Sequence, residues 1–219
     1  MKSHLFVATA GLALAAAIAA APASAAVVYS FTDGPAHSPS AGYTVIDTFD
    51  SAAGITGSGF QIKVPPADGN GAPPANSVPA GSSYLSVLGG GDAVINFAAV
   101  GGPASVSSFE FDWGSLDSYN TLTIFSSDGT VMAIPGSTFT NPANGDQHSP
   151  GTNGLFTVTG SGGTTFTGIE LTSSTNSFEI DNLAVGNVPE PGIWAMMLIG
   201  FGGVGAAMRS RRRQALATT

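Results

Sequence analysis

The chain has no cysteine in its 219 residues, which excludes disulfides, thiolate chemistry and cysteine-held zinc. Basic residues are nearly as scarce. Of six, only Lys63 lies between positions 26 and 187, against thirteen carboxylates, so that stretch carries a net charge of −12. Without a basic stripe to release counterions, the balance argues against binding nucleic acid or anionic lipid headgroups and is compatible with soluble extracellular life, neutral sugars or divalent cations. Helical periodicity is also missing from this stretch, and no fixed repeat occurs, which argues against a solenoid or propeller. Histidine is limited there to His37 and His148, neither set in a Gly-x-Ser-x-Gly elbow or a His-Glu-x-x-His helix. The chain is therefore expected not to be an enzyme. The alternative is a glycoside hydrolase, because a carboxylate pair meets only in three dimensions.

What is present begins at the ends. Lys2 and His4, the Ala/Leu-rich run from Leu5 to Ala21 and the Ala23-Ser24-Ala25 site form a secretory signal peptide over 1–25, with signal peptidase cutting before Ala26. At the other end stand Pro189, Glu190 and Pro191, an uncharged apolar run over 193–208 that includes Trp194 and Ala195, and the basic cluster Arg209, Arg211, Arg212 and Arg213. A transmembrane helix over 193–208 would be roughly 24 Å long at 1.5 Å per residue, shorter than the ~30 Å hydrocarbon core. The arginines would stay cytoplasmic as a stop-transfer signal. Short reach suits a temporary stop, with membrane contact lasting only until processing.

This tail, Val188-Pro-Glu-Pro-Gly-Ile-Trp-Ala-Met-Met, resembles the PEP-CTERM sorting signal in its PEPxxWA variant, a tail also labelled an ice-binding-protein C-terminal domain. The resemblance implies an exosortase as partner. It would cut near Pro189 to Pro191 and release the protein to the cell surface or exopolysaccharide matrix. The chain then divides into a signal peptide (1–25), a body (26–187), a sorting tail (188–213) and a disordered end (214–219).

The body reads as strands. Apolar residues alternate in Thr44–Phe49, Phe60–Val64, Tyr84–Leu88, Ala93–Phe97, Val106–Trp113, Thr121–Phe125, Thr130–Ile134, Leu155–Thr159, Thr165–Leu171 and Phe178–Val185. Asp128-Gly129 predicts a tight hairpin between two of them. The expected fold is all-β, a jelly-roll-like β-sandwich, with an N-terminal signal helix and a C-terminal transmembrane helix. Two Pro-, Gly- and Asn-rich stretches, 65–79 and 141–153, predict long loops at the sandwich rim, where a ligand would be met.

The most distinctive body segment is Phe109-Glu-Phe-Asp-Trp-Gly-Ser-Leu-Asp-Ser-Tyr-Asn120. It resembles a Phe-x-Trp-Gly-Ser-x-Asp-x-Tyr-Asn stretch of exosortase-dependent surface proteins. Alternation places Phe109, Phe111 and Trp113 on one side of a strand and Glu110 and Asp112 on the other. Two uses follow. The aromatics fill the sandwich ahead of a Gly114-Ser115 turn, or Trp113 or Tyr119 stacks on a sugar ring while Asp112, Asp117 and Asn120 meet its hydroxyls. Ile180-Asp-Asn-Leu183 resembles a stretch of carbohydrate-binding jelly rolls whose Asp is structural or a calcium ligand, which makes Asp181 the one calcium candidate; no other cofactor is expected. The overall expectation is an exported protein that binds or reinforces exopolysaccharide, with a passive coat or adhesion protein as the alternative.

Overall fold

The computed structural model describes residues 26–140, 143–148, 151–186, 197–203, 205 and 209. The predicted signal peptide, the sorting residues Pro189, Glu190, Pro191, Trp194 and Ala195, and Arg211, Arg212, Arg213 and the 214–219 end lie outside these residues. Ten strands form the body: β1 (Ala26–Asp33), β2 (Tyr43–Asp47), β3 (Ile55–Lys63), β4 (Tyr84–Asn96), β5 (Ser108–Gly114), β6 (Asn120–Ser126), β7 (Val131–Pro135), β8 (Gly154–Ser161), β9 (Phe166–Ser173) and β10 (Phe178–Gly186). Every strand pairing is antiparallel, in the order β1-β8-β5-β10-β4-β9-β6-β7, with β2 added to β10 and β3 to β4.

The sheet curls because β4 changes partner halfway. Leu85 to Val87 pair with Ile180 to Phe178 of β10, whereas Gly91 to Asn96 pair with Ser173 to Gly168 of β9. Between them runs Gly89-Gly90-Gly91. Gly90 takes a φ of 78°, and a Cβ on Gly91 would stand 2.5 Å from the Gly59 carbonyl oxygen of β3. No larger residue fits this corner. The sequence pattern reads the same segment as two strands, 84–88 and 93–97, since three glycines interrupt the alternation without ending the strand.

Curling brings the two halves of the sheet onto one core. Phe109 of β5 meets Phe166 of β9 edge-on at 5.5 Å, although β10 and β4 separate those strands in the sheet. Phe111, Trp113, Phe156 and Phe178 continue the cluster. Each buried ring removes enough apolar surface to contribute about 1.5–3 kcal/mol, with about 0.5–1.5 kcal/mol more for each well-placed ring pair. The hairpin expected at Asp128-Gly129 is present: Gly129 has a φ of 85° and the Asp128 carboxylate accepts from the Thr130 N–H at 2.9 Å. β1 was not signalled by alternation. It is an edge strand with Val28 and Tyr29 exposed, so no buried face imposes a period of two.

Near the C-terminus, residues 197–203, 205 and 209 are helical, with Leu198, Ile199 and Phe201 exposed. Among the described residues no helix is long and apolar enough to cross a membrane. The transmembrane helix expected over 193–208 is thus unsupported. Its apolar run is too short for a full span, and part of it lies outside the described residues.

Candidate functional site

β5 and β10 lie at the centre of the curled sheet, and both are buried on both faces. Their inner faces hold aromatics. Their outer faces hold Glu110 and Asp112, and Glu179 and Asp181, beneath the loops that follow β1 and β3.

This arrangement corrects three of the five glycan-contact expectations. Trp113 has 0 % exposed surface and stacks on Phe178 at 4.6 Å with 13° between ring planes, so it has no face to offer a sugar. Asp112 is equally buried; its carboxylate accepts from the Ser38 N–H at 2.7 Å, Asn76 Nδ2 at 3.1 Å and Asn182 Nδ2 at 3.0 Å. It clasps loops to the sheet. Asn120 is buried and accepts from the Ser173 hydroxyl at 2.9 Å. Asp181 is also engaged, accepting from the Ser82 hydroxyl at 2.6 Å and the Asn182 N–H at 2.7 Å. Among the described residues no group of three or more His, Asp or Glu is assembled for a metal ion.

The other two, Asp117 and Tyr119, line an open cleft of about 360 Å³ at the rim. Its walls come from the two loops that composition singles out. Residues 68–72 stand on one side and 144–148 on another, tied where Gln147 Nε2 donates to the Pro73 carbonyl at 2.8 Å. Asn176 secures the first loop, donating from Nδ2 to the Gly69 carbonyl at 3.0 Å. A Cβ at Gly145 would lie 2.4 Å from Asp117 Oδ2, so the second loop can close on that carboxylate only with glycine there. Tyr119 is half-buried; its hydroxyl donates to the Asn176 carbonyl at 2.8 Å and borders Asp117.

Glu179 completes the cleft. It is 2 % exposed; its Oε1 accepts from the Ser177 hydroxyl and from the Ala72 N–H at 3.4 Å, while Oε2 has no hydrogen-bond partner. Burial, reinforced by the nearby Asp117 charge, pushes its carboxyl up to about 7. Burial also raises Asp117, against the lowering influence of the neighbouring Tyr119 hydroxyl. Asp68 moves the other way, because Lys63 donates to both its oxygens at 2.7 and 2.8 Å. The body's single lysine is thereby committed at the edge, leaving a cleft rich in acceptors and without a free lysine. Glu179 escaped the sequence reading, although Phe178-Glu-Ile-Asp181 repeats the alternation of Phe109-Glu-Phe-Asp112.

Residues 187–213 match the family model of the PEP-CTERM protein-sorting motif. No curated protein and no solved structure matches the chain. The motif implies an exported protein targeted to an exosortase and to the cell surface.

Proposed function

We propose that this protein is an exopolysaccharide-associated binding protein of the cell surface or extracellular matrix, working through the rim cleft of a jelly-roll-like sandwich. The strand orders β2-β10-β5-β8 and β4-β9-β6-β7, joined at the β4 corner, support that fold. Release follows signal peptidase cleavage before Ala26 and exosortase cleavage near Pro189 to Pro191, the C-terminal segment holding the chain at the membrane until then. The observation that carries the molecular role is the juxtaposition, at the mouth of two long loops, of half-buried Tyr119 with the carboxylates of Asp117 and Glu179. A tyrosine ring supplies a stacking surface and carboxylates accept from sugar hydroxyls. The acidic surroundings favour neutral over anionic polysaccharide, since a buried or crowded carboxylate repels a second negative charge. No metal enters this reading; Asp181 is assigned a structural role.

The test is retention on secreted matrix polysaccharide. Tyr119→Ala and Asp117→Asn are expected to lower retention at least about tenfold, the scale of one charge-assisted hydrogen bond or stacking contact. Trp113→Ala cannot serve, because it empties the core. Retention equal to wild type in both variants would overturn the site and leave a passive coat protein. A glycan hydrolase is the second reading, favoured by one observation: Glu179, held protonated up to about 7, shares the cleft with Asp117. Release of reducing sugar by wild type and not by Glu179→Gln would select it.

A further inference from the structure

The cleft does not stand alone. A second cavity of about 430 Å³ shares Gln147 and His148 with it and continues to Ala75, Asn76 and Asn153. On the far side of Tyr119 a third depression of about 580 Å³ runs along Thr121, Thr172 and Ser174. The first cavity thus adjoins the second at the Gln147-His148 pair and the third at Tyr119. The His148 side chain is 95 % exposed, so the first divider is low.

Two of these cavities carry the same defect. In the first, Glu179 is 2 % exposed and its Oε2 lacks a donor. In the second, Asn76 is 8 % exposed and its Oδ1 lacks a donor. The Asn76 amide is oriented unambiguously: Nδ2 donates to the Ala36 carbonyl at 2.7 Å and to Asp112 Oδ1 at 3.1 Å, leaving oxygen as the unmatched end. Buried acceptors without donors cost about 1–3 kcal/mol each, and that cost is recovered by whatever brings a hydrogen to them. Once Glu179 is ionised, above about pH 7, both want a donor, and neither tolerates an anion.

We propose that the rim is a multi-subsite groove for an extended, neutral, hydroxyl-rich chain, with successive sugar units donating to Glu179 Oε2 in one subsite and to Asn76 Oδ1 in the next. This inference rests on the glycan reading above and adds to it that the ligand is a polymer segment bound along its length. A disaccharide fills one cavity, whereas a hexasaccharide passes His148 and reaches both.

The test is calorimetry at pH 8 on the intact exported protein with neutral gluco- and manno-oligosaccharides of two and six units. Wild type is expected to bind at least one hexasaccharide series about tenfold or more tightly than its disaccharide. Ala75→Leu fills the second cavity from an exposed position without touching the Asn76 amide. It should bring hexasaccharide affinity down to the disaccharide level and leave disaccharide affinity unchanged. Glu179→Gln, which keeps an oxygen for Ser177 and Ala72, should weaken both lengths severalfold. Equal affinity for both lengths, or a length gain that survives Ala75→Leu, overturns the groove; ordered water then satisfies the two oxygens. Failure of every oligosaccharide to bind, with matrix retention still sensitive to Tyr119→Ala, sinks the groove and spares the glycan reading. Loss of matrix retention in wild type itself sinks both.

Discussion

Asp112 and Glu179 sit on the same outer face of neighbouring central strands, and burial raises both carboxyls to about 7. Yet they meet opposite surroundings. Asp112 receives three donors from three parts of the chain, Ser38, Asn76 and Asn182, and those of Asn182 and Ser38 pull it partway back down. Glu179, which lines an open cleft, receives its donors on one oxygen and leaves the other buried without a partner. The difference separates two uses of a buried acid. A fully satisfied carboxylate in a body with one lysine replaces salt bridges as a fastener for loops. A half-satisfied one is a vacancy for a ligand's donor.

Breaking the fastener should have the largest effect. Asp112→Ala strands the Ser38 N–H and the Asn76 and Asn182 amides without their shared acceptor, and is expected to lower unfolding free energy by about 2–4 kcal/mol. Chemical denaturation measures the loss. Limited proteolysis should find new cuts within 34–40 and 72–79, the loops that Asp112 holds. A variant as stable and as protease-resistant as wild type would mean that the clasp contributes nothing.

The next effect is a pH dependence that both acids share. Each has a folded pKa above its unfolded value, 3.8 for Asp112 and 4.5 for Glu179, both rising to about 7. Between those limits the folded state binds more protons than the unfolded one, so stability falls as pH rises. That contribution is fully present below about pH 4 and is lost as pH rises through about 7. Denaturation midpoints taken at pH 5 and pH 8 should therefore favour pH 5. A midpoint that rises with pH would show that other carboxylates, such as the Lys63-paired Asp68, dominate.

Much of this fold was legible in the sequence, and the limits have physical causes. Period-two alternation located nine of the ten strands because eight of those nine bury at least one inner-face residue; β2 shows only partial burial, and β1, an edge with an exposed outer row, showed no alternation. The stretches 65–79 and 141–153 stand out by composition, and residues 68–72 and 144–148 within them wall the cleft. Residue roles were harder. Phe109, Phe111 and Trp113 alternate with Glu110 and Asp112 as a strand half in solvent would, and nothing local reveals that loops from 34–40 and 72–79 cover the polar side. Alternation alone marks the polar residues of a strand as solvent-facing, whereas here they are the anchors of a second covering layer. The bare oxygen of Glu179 depends on contacts more than a hundred residues apart, such as Ala72 with Glu179, which no short motif encodes.

The smallest effect is also the sharpest discriminator between the two acids. Glu179→Gln keeps the shape and an oxygen for the Ser177 hydroxyl and the Ala72 N–H, but removes the ionisation that burial and the neighbouring Asp117 oppose. At pH 8, where wild-type Glu179 has surrendered its proton, the variant should be the more stable of the two. At pH 4.5 the gain should vanish, because both side chains are then neutral. Asp112→Asn should give no such gain. Its new amide nitrogen would face the Asn182 donor at the oxygen it replaces, or displace one of the two donors on the other, so the clasp is damaged whichever way it turns. Opposite signs at pH 8 for two isosteric acid-to-amide changes would identify Glu179 as a group kept for something other than stability. Equal signs would reduce the cleft to another piece of the same fastening.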